Sequence, residues 1–401
     1  MSSIFLVLQV PVTGPLDSLQ IEAQAHNGLR LWLQHFENVI AACPYARESA
    51  EPTLPISTIP GGDRLRIVSL DQAWQPHQFL KKLPAVSKIL AQEIDKAQHL
   101  QFGIGGLWGD WGSVAAWIAS QKGRAFSVWT DHVESDVHFK RAEGKGLLPR
   151  LYTKATAVAM IPYERAVIAR SALGLFHGAD CYDAYAPYCR NPHLVHDIHI
   201  GADQHITDEQ LELRLSDRAV RPLRIVYAGR AAPEKGILDW VQAIAHASSK
   251  TSLICTWYGV GSDLQAAKEL ASRLSLPISF PGSIPHDQLL DEMKQFDIFV
   301  FCHKTLESPR CLIEALACGL PIVGYDSPYP NDLTRQHGGS VLVQKGNIAD
   351  LGEAIVRLSN TDTLPKLSFL AKQSAADLTD EAVFAHRSRL IKLLSTQSAL
   401  G

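Results

Sequence analysis

Apolar runs of strand length alternate with segments of helical period along the whole chain, and this alternation constrains the fold more than any other feature. Strands that follow one another through helices pair in parallel, and parallel sheets are covered by helices on both faces. In the first half the runs from Ile4 to Val10, Leu65 to Leu70, Leu100 to Ile104, Ala125 to Trp129, Ala157 to Ile161 and Leu173 to Phe176 read as strands. In the second half the runs are Leu223 to Ala228, Ser252 to Tyr258, Ile278 to Pro281, Ile298 to Phe301, Pro321 to Gly324 and Ser340 to Val343. Between the halves lies HIGADQHITDEQLELRLSDRAVRP, polar and without strong periodicity, where a domain boundary falls naturally. A chain of 401 residues with 46% hydrophobic content divides more readily into two cores than one. The expected division is a first domain over 1–204, a linker over 205–221, a second domain over 222–380, and a helix over 381–401 packing back toward the first domain. No short repeat or low-complexity tract is visible, which argues against solenoids and propellers.

Lys and Arg number 38 against 41 acids, a net charge of -3, so there is no global electrostatic case for a nucleic-acid partner. The expected partner is a small molecule. Cysteine occurs singly at 43, 181, 189, 255, 302, 311 and 318, without a CxxC pair or a metal-like grouping with histidine. That pattern fits reduced thiols and a cytoplasmic setting. The opening SIFLVLQVPV lacks a basic leader and is too short to span a bilayer, so it reads as a first buried strand.

In an open parallel sheet, ligands sit outside the carboxyl ends of strands, where loops enter helices. TLESPRCLIEALACG brings Glu307 and Glu314 to a turn and the helix it feeds, and carboxylates so placed accept hydrogen bonds from vicinal hydroxyls such as those of a ribose or a sugar. Pro309 suits the first turn of that helix. The amides of Arg310, Cys311 and Leu312 would then face an anion at the positive end of the helix dipole. Upstream, RIVYAGRAAPEKG places Arg230 and Lys235 just past a strand. A planar fork and a point charge together suit a diphosphate, although loop cations also serve simply as solvated charges. CTWYGVGSD ends a strand on Gly259 and Gly261, which permits either a tight turn or close backbone approach to a ligand. SFPGSIP offers the Gly282-Ser283 step as main-chain groups for a flat base.

The order GRAAPEKG, YGVGSD, FPGSIP, ESPRCLIEALACGLPIVG resembles the nucleotide-binding half of retaining GT-B glycosyltransferases of family 4, and IHIGAD at 198–203 looks like the segment that closes that family's first domain. The resemblance implies an α/β architecture of two Rossmann-like, doubly wound domains facing a central cleft. It also implies a donor, a UDP- or GDP-sugar, held by the second domain. The implied reaction is metal-independent transfer of a hexose, with retention of configuration, to a hydroxyl of a glycan, lipid-linked or small-molecule acceptor. Arg230 and Lys235 match the pair that binds the donor diphosphate. Glu314 matches the glutamate on the ribose, and Glu307 stands near the one that contacts the sugar. The family usually leaves seven residues between these glutamates, whereas six lie between Glu307 and Glu314, and the expected position holds Leu306. Ser308-Pro309 also replaces the usual glycine-rich turn.

The first domain is expected to supply the acceptor site. SVWTDHVES places Asp131, His132 and Glu134 after a strand, and His132 resembles the family's histidine near the donor sugar; such a ring can hydrogen-bond a hydroxyl, or belong to an ordinary surface loop. GIGGLWGDWGS gathers Gly105, Gly106, Trp108, Asp110 and Trp111, groups that suit either a sugar or an interdomain contact. Gly14 in VPVTGPLD is a further candidate for phosphate approach. HFKRAEGKGLLPRLYTK sets Lys140, Arg141, Lys145, Arg150 and Lys154 among Phe139, Leu147, Leu148 and Leu151, a composition shared by solvated amphipathic helices and by segments that rest on an anionic bilayer. In mechanism, Arg230, Lys235 and the helix amides would stabilise the leaving diphosphate, which itself takes the acceptor proton. Alternatives are a GT-B epimerase or phosphorylase, and a noncatalytic GT-B subunit that binds a partner enzyme.

Overall fold

The computed structural model describes residues 2–49, 52–142, 146–305, 307–359 and 362–398. Lys145 and Leu306 lie outside the described residues. The chain divides into two compact units, Met1–His199 with Asp380–Gly401, and Ile200–Thr379.

The first unit holds strands β1 (Ser3–Val7), β2 (Val12–Thr13), β3 (Gln20–Glu22), β4 (Asn38–Tyr45), β5 (Thr53–Pro55), β6 (Leu65–Asp71), β7 (His99–Gly103), β8 (Ser127–Thr130), β9 (Leu173–His177) and β10 (Pro192–Val195). Its helices are α1 (Ala23–His35), α2 (Pro76–Lys96), α3 (Trp111–Gln121), α4 (Glu134–Arg141), α5 (Leu147–Ile168) and α6 (Gly178–Tyr185). The sheet runs β10-β9-β8-β7-β1-β4 in parallel, with β6 also parallel to β4 and the short β2, β3 and β5 attached beyond. Counted along the chain, the principal strands are therefore ordered 3-2-1-4-5-6-7 from β6 to β10. The winding reverses between β1 and β7.

Two expectations fail here. The run from Ala157 to Ile161 is not a strand but part of α5, where Ala157 and Met160 are buried while Val158 is 59% exposed, the spacing of a helix face. Conversely, β4 is a central strand that the sequence reading missed. Its NVIAACPY contains Pro44, which argues against an interior strand, but pairing with β1 ends at Ala42, so the proline lies past it. The first strand is also shorter than expected, ending at Val7 rather than Val10.

The second unit is a six-stranded, wholly parallel sheet of β11 (Leu223–Ala228), β12 (Leu253–Tyr258), β13 (Ile278–Gly282), β14 (Ile298–Phe301), β15 (Ile322–Tyr325) and β16 (Ser340–Val343), ordered β13-β12-β11-β14-β15-β16. Helices α7 (Asp208–Ser216), α8 (Ile237–Ser248), α9 (Leu264–Arg273), α10 (His286–Met293), α11 (Arg310–Ala317), α12 (Pro328–Thr334), α13 (Ile348–Ser359) and α14 (Thr363–Ala375) complete it. Every residue of β14 and β15 is buried, as expected of strands covered on both faces. The order is 3-2-1-4-5-6, the doubly wound arrangement of a dinucleotide-binding sheet, with its switch point between β11 and β14.

The segment 205–221, expected as a linker, is built into this unit. Arg214 on α7 is buried and donates to the carbonyls of Cys318 at 2.8 Å and Gly319 at 2.6 Å, satisfying carbonyls at the end of α11. Burial lowers the Arg214 pKa to about 10. At the other end of the chain, α15 (Asp380–Ser398) belongs to the first unit, where Arg387 donates to Asp197 at 2.8 Å and Phe384 packs edge-on against Trp32.

Candidate active site

In the second unit the carboxyl ends of β11 and β14 lie side by side, and the loops leaving them carry Arg230, Lys235 and Glu307. After β11 the chain turns at Gly229 and closes a single 3-10 turn over Pro233–Lys235 before Gly236 opens α8 with a φ of 68°. Gly236 is required: a Cβ there would stand 2.2 Å from the Cys302 carbonyl oxygen, at the end of β14. The Lys304 amide donates to the Glu234 carbonyl at 2.8 Å, tying the two loops together.

This geometry separates the two expected phosphate ligands. Lys235 is buried, and its Nζ donates to Glu307 Oε2 at 2.6 Å. Arg230 has a side chain 62% exposed and only a loose 3.8 Å ion pair to Glu234. The carboxyl end of β14 adds His303, whose Nε2 shares a 2.8 Å hydrogen bond with the Tyr227 hydroxyl. Burial, reinforced by Lys235, lowers the His303 pKa to about 3, so the ring is neutral.

Glu314 is on α11, buried, and its Oε1 lies 3.1 Å from His286 Nε2 on the first residue of α10. Burial opposes charge on the His286 ring, but hydrogen bonding and attraction from Glu314 prevail and raise its pKa above the ordinary imidazole value. The two glutamates thus occupy different places: Glu307 on the lysine at the β11 edge, Glu314 against α10. Helix α11 begins at Arg310 after the extended Pro309. Of its first three amides, that of Leu312 is already used, donating to the Pro309 carbonyl at 3.2 Å, and the Leu312 side chain is fully buried core. Burial raises the Cys311 thiol pKa, which keeps it protonated.

The glycines after β12 serve the loop after β11. A Cβ on Gly259 would stand 2.1 Å from the Gly229 oxygen, and one on Gly261 2.3 Å from the Ala231 oxygen. Their close approach is therefore to the backbone flanking Arg230. Gly282 has a φ of 86° and nothing within 4 Å of a built Cβ, and Ser283 beside it is exposed. Its carbonyl accepts from the Gly259 amide at 2.8 Å, so one ladder of backbone contacts links all three loops.

In the first unit, His132 follows β8 and is gripped at both ring nitrogens, by Asp131 at 2.7 Å on Nδ1 and by Glu134 on Nε2. Burial would discharge the ring, yet the two carboxylates raise its pKa well above the usual value, making it an imidazolium already engaged on both sides. In the glycine-rich loop, Asp110 is not presented outward: it is 2% exposed and caps α3 through the Ser113 amide at 2.9 Å. Burial raises its pKa to about 7. Trp111 is likewise structural, its indole N–H donating to the Asp71 carbonyl at 2.9 Å and its ring stacked on Phe79 at 4.9 Å. Gly14, with a φ of 85°, turns a loop whose carbonyl accepts from the Tyr45 hydroxyl at 3.0 Å.

The sequence reading missed His286, His303 and Tyr227. His286 follows the FPGSIP segment directly, so only its position after a strand end marked it. Nothing local indicates its pairing with a residue 28 positions away.

Two Rossmann-like sheets in one chain define the class of protein: the fold is GT-B. Over its length the chain matches HepE of Anabaena, solved in complex with UDP, with a TM-score of 0.70 and 14% identity, covering 99% of this chain and 100% of that one. More particularly, residues 222–361 match the family described as Glycosyl transferases group 1. The chain is 29% identical over 141 residues to the 2-deoxystreptamine N-acetyl-D-glucosaminyltransferase of Streptomyces fradiae, covering 34% of this chain and 33% of that protein. It is 26% identical over 160 residues to the GtfA subunit of a UDP-N-acetylglucosamine–peptide N-acetylglucosaminyltransferase of Streptococcus pneumoniae, covering 39% and 30%. The chain spans about a third of the length of these curated relatives.

Proposed function

We propose that the protein is a retaining glycosyltransferase that transfers a hexose, specifically N-acetylglucosamine from its UDP conjugate, to an acceptor hydroxyl. One observation carries this reading: Lys235, a buried ammonium, stands at the switch point of a 3-2-1-4-5-6 sheet with the exposed Arg230 on the same loop. A phosphate-bearing ligand placed there meets a buried cation and an exposed fork. Glu314, oriented by His286, is the ribose carboxylate. The choice of sugar is supported by the names of the two relatives, both N-acetylglucosaminyltransferases, and the choice of base by the name of the second, which uses UDP-N-acetylglucosamine.

In the reaction the bond between the anomeric carbon and the β-phosphate oxygen breaks while a bond to the acceptor oxygen forms on the same face, and the acceptor proton passes to the departing phosphate. Negative charge grows on the leaving oxygen. Lys235, whose effect burial strengthens, and the exposed Arg230 oppose it. The exposed Leu147, Leu148 and Leu151 at the start of α5, beside Arg150, support an acceptor met at an anionic membrane surface, with the enzyme peripheral to the inner face and the reaction serving glycoconjugate synthesis. Among the described residues no helix is long and apolar enough to cross a membrane.

The test is a thermal-shift panel of UDP, GDP and ADP with their sugar conjugates, followed by turnover of the stabilising donor. Loss of turnover in folded Lys235→Ala and Glu314→Ala supports the reading, as does an α-configured product from an α-configured donor by NMR. Stabilisation by none of the nucleotides would refute it.

A further inference from the structure

The Lys235–Glu307 pair raises a question that the proposed function leaves open. The lysine assigned to the diphosphate already holds an anion at 2.6 Å, with the two side chains only 10% and 13% exposed. A ligand phosphate reaching the same Nζ would crowd a second negative charge against the Glu307 carboxylate, and burial screens that repulsion poorly. Two neighbouring groups add no positive charge of their own. His303 and Cys311, which also face Lys235, are both held neutral by burial. The Arg230 guanidinium points to solvent and to Glu234. While Glu307 holds Lys235, phosphate binding at the same Nζ is opposed.

Two candidate donors for a released Glu307 carboxylate lie close to it in the chain. The hydroxyls of Thr305 and Ser308 flank it in the chain, are buried, and have no hydrogen-bond partner among the described residues. Buried hydroxyls without partners are unusual, and a carboxylate turning off Lys235 would satisfy them. It would also stand beside the β-phosphate, where hydroxyls of an attached sugar supply further donors that a bare diphosphate lacks.

Resting on the reading of Lys235 as a diphosphate ligand, we propose that Glu307 is a specificity-determining residue that makes the site favour an intact nucleotide sugar over the bare nucleoside diphosphate. It competes with phosphate for Lys235, and yields when sugar hydroxyls take its carboxylate. Once transfer has removed the sugar, Glu307 returns to Lys235 and the product is expelled.

The experiment is isothermal titration of the full chain with UDP and with UDP-N-acetylglucosamine, on the wild type, Glu307→Gln and Glu307→Asp, with circular dichroism to establish folding. Glu307→Gln should bind UDP about tenfold more tightly than wild type, the scale of coupling between close buried charges, and should bind the sugar conjugate no more tightly. Glu307→Asp, whose shorter arm retracts from Lys235, should shift UDP affinity in the same direction by less. Unchanged or weaker UDP binding in a folded Glu307→Gln overturns the competition while leaving the diphosphate site standing. A wild type that binds neither ligand overturns both. Should neither variant fold, the wild type alone decides, because tighter binding of UDP than of the sugar conjugate contradicts the proposal.

Discussion

The His286–Glu314 pair predicts a stability that depends on pH in a definite direction. In the folded protein the His286 pKa is raised, with burial opposing and Glu314 and Asp287 favouring the charged ring, while Arg310 disfavours it. A raised folded pKa means that the pair's contribution is complete below the unfolded value of about 6.5 and is lost as pH rises through the folded value. At 3.1 Å and an effective dielectric of about 20, the gross attraction is roughly 5 kcal/mol. Desolvation of two side chains that are 25% and 7% exposed offsets half or more, leaving about 2 kcal/mol, within the usual range for hydrogen bonds to charged groups. His286→Ala should therefore destabilise the protein by about 2 kcal/mol near pH 5.5 but by under about 1 kcal/mol at an alkaline pH above the raised folded value, where only a neutral hydrogen bond is lost. Urea denaturation of wild type and variant at the two pH values measures the difference. An equal destabilisation at both would refute the assignment of charge to this pair.

Lys235→Ala and Arg230→Ala should part company: both weaken UDP binding by about tenfold or more, but only the buried lysine, whose loss breaks its pair with Glu307, should lower stability, by about 3 kcal/mol against under about 0.5 for the exposed arginine. Calorimetric binding beside thermal melts distinguishes them. Gly259→Ala drives a Cβ into the Gly229 carbonyl, so the loop bearing Arg230 must move; nucleotide affinity should fall even in a variant that still folds, and retention of wild-type affinity would contradict the close packing of the two loops. Arg214→Ala leaves the Cys318 and Gly319 carbonyls without their donor and should destabilise the protein by about 2–4 kcal/mol in denaturant titrations, whereas a mobile linker would tolerate it with no loss.

The second sheet was legible because each of its strands is a largely apolar run bounded by turn residues, and all six expected runs are strands. Two places in the first unit misled. The alanine-rich run from Ala157 to Ile161 is as apolar as a buried strand, and only its continuation over the surrounding turns makes it helix; Pro44 hid a central strand because its harmless position depends on where the neighbouring strand stops. In the site, the residue types were readable but their partners were not. Arg230 and Lys235 look alike on paper, yet one is exposed and the other buried. Asp110 reads as a loop acid and is a helix cap.

Local sequence was sufficient to establish the alternation of strand and helix, the loops that leave strand ends, and the chemical kind of each charged group, because hydrophobic period and turn chemistry act over a few residues. Tertiary structure alone decided that Lys235 meets Glu307 and that Glu314 meets His286. Charge state and orientation depend on burial and on neighbours that can be distant in the chain, and those exist only once the sheets have been wound.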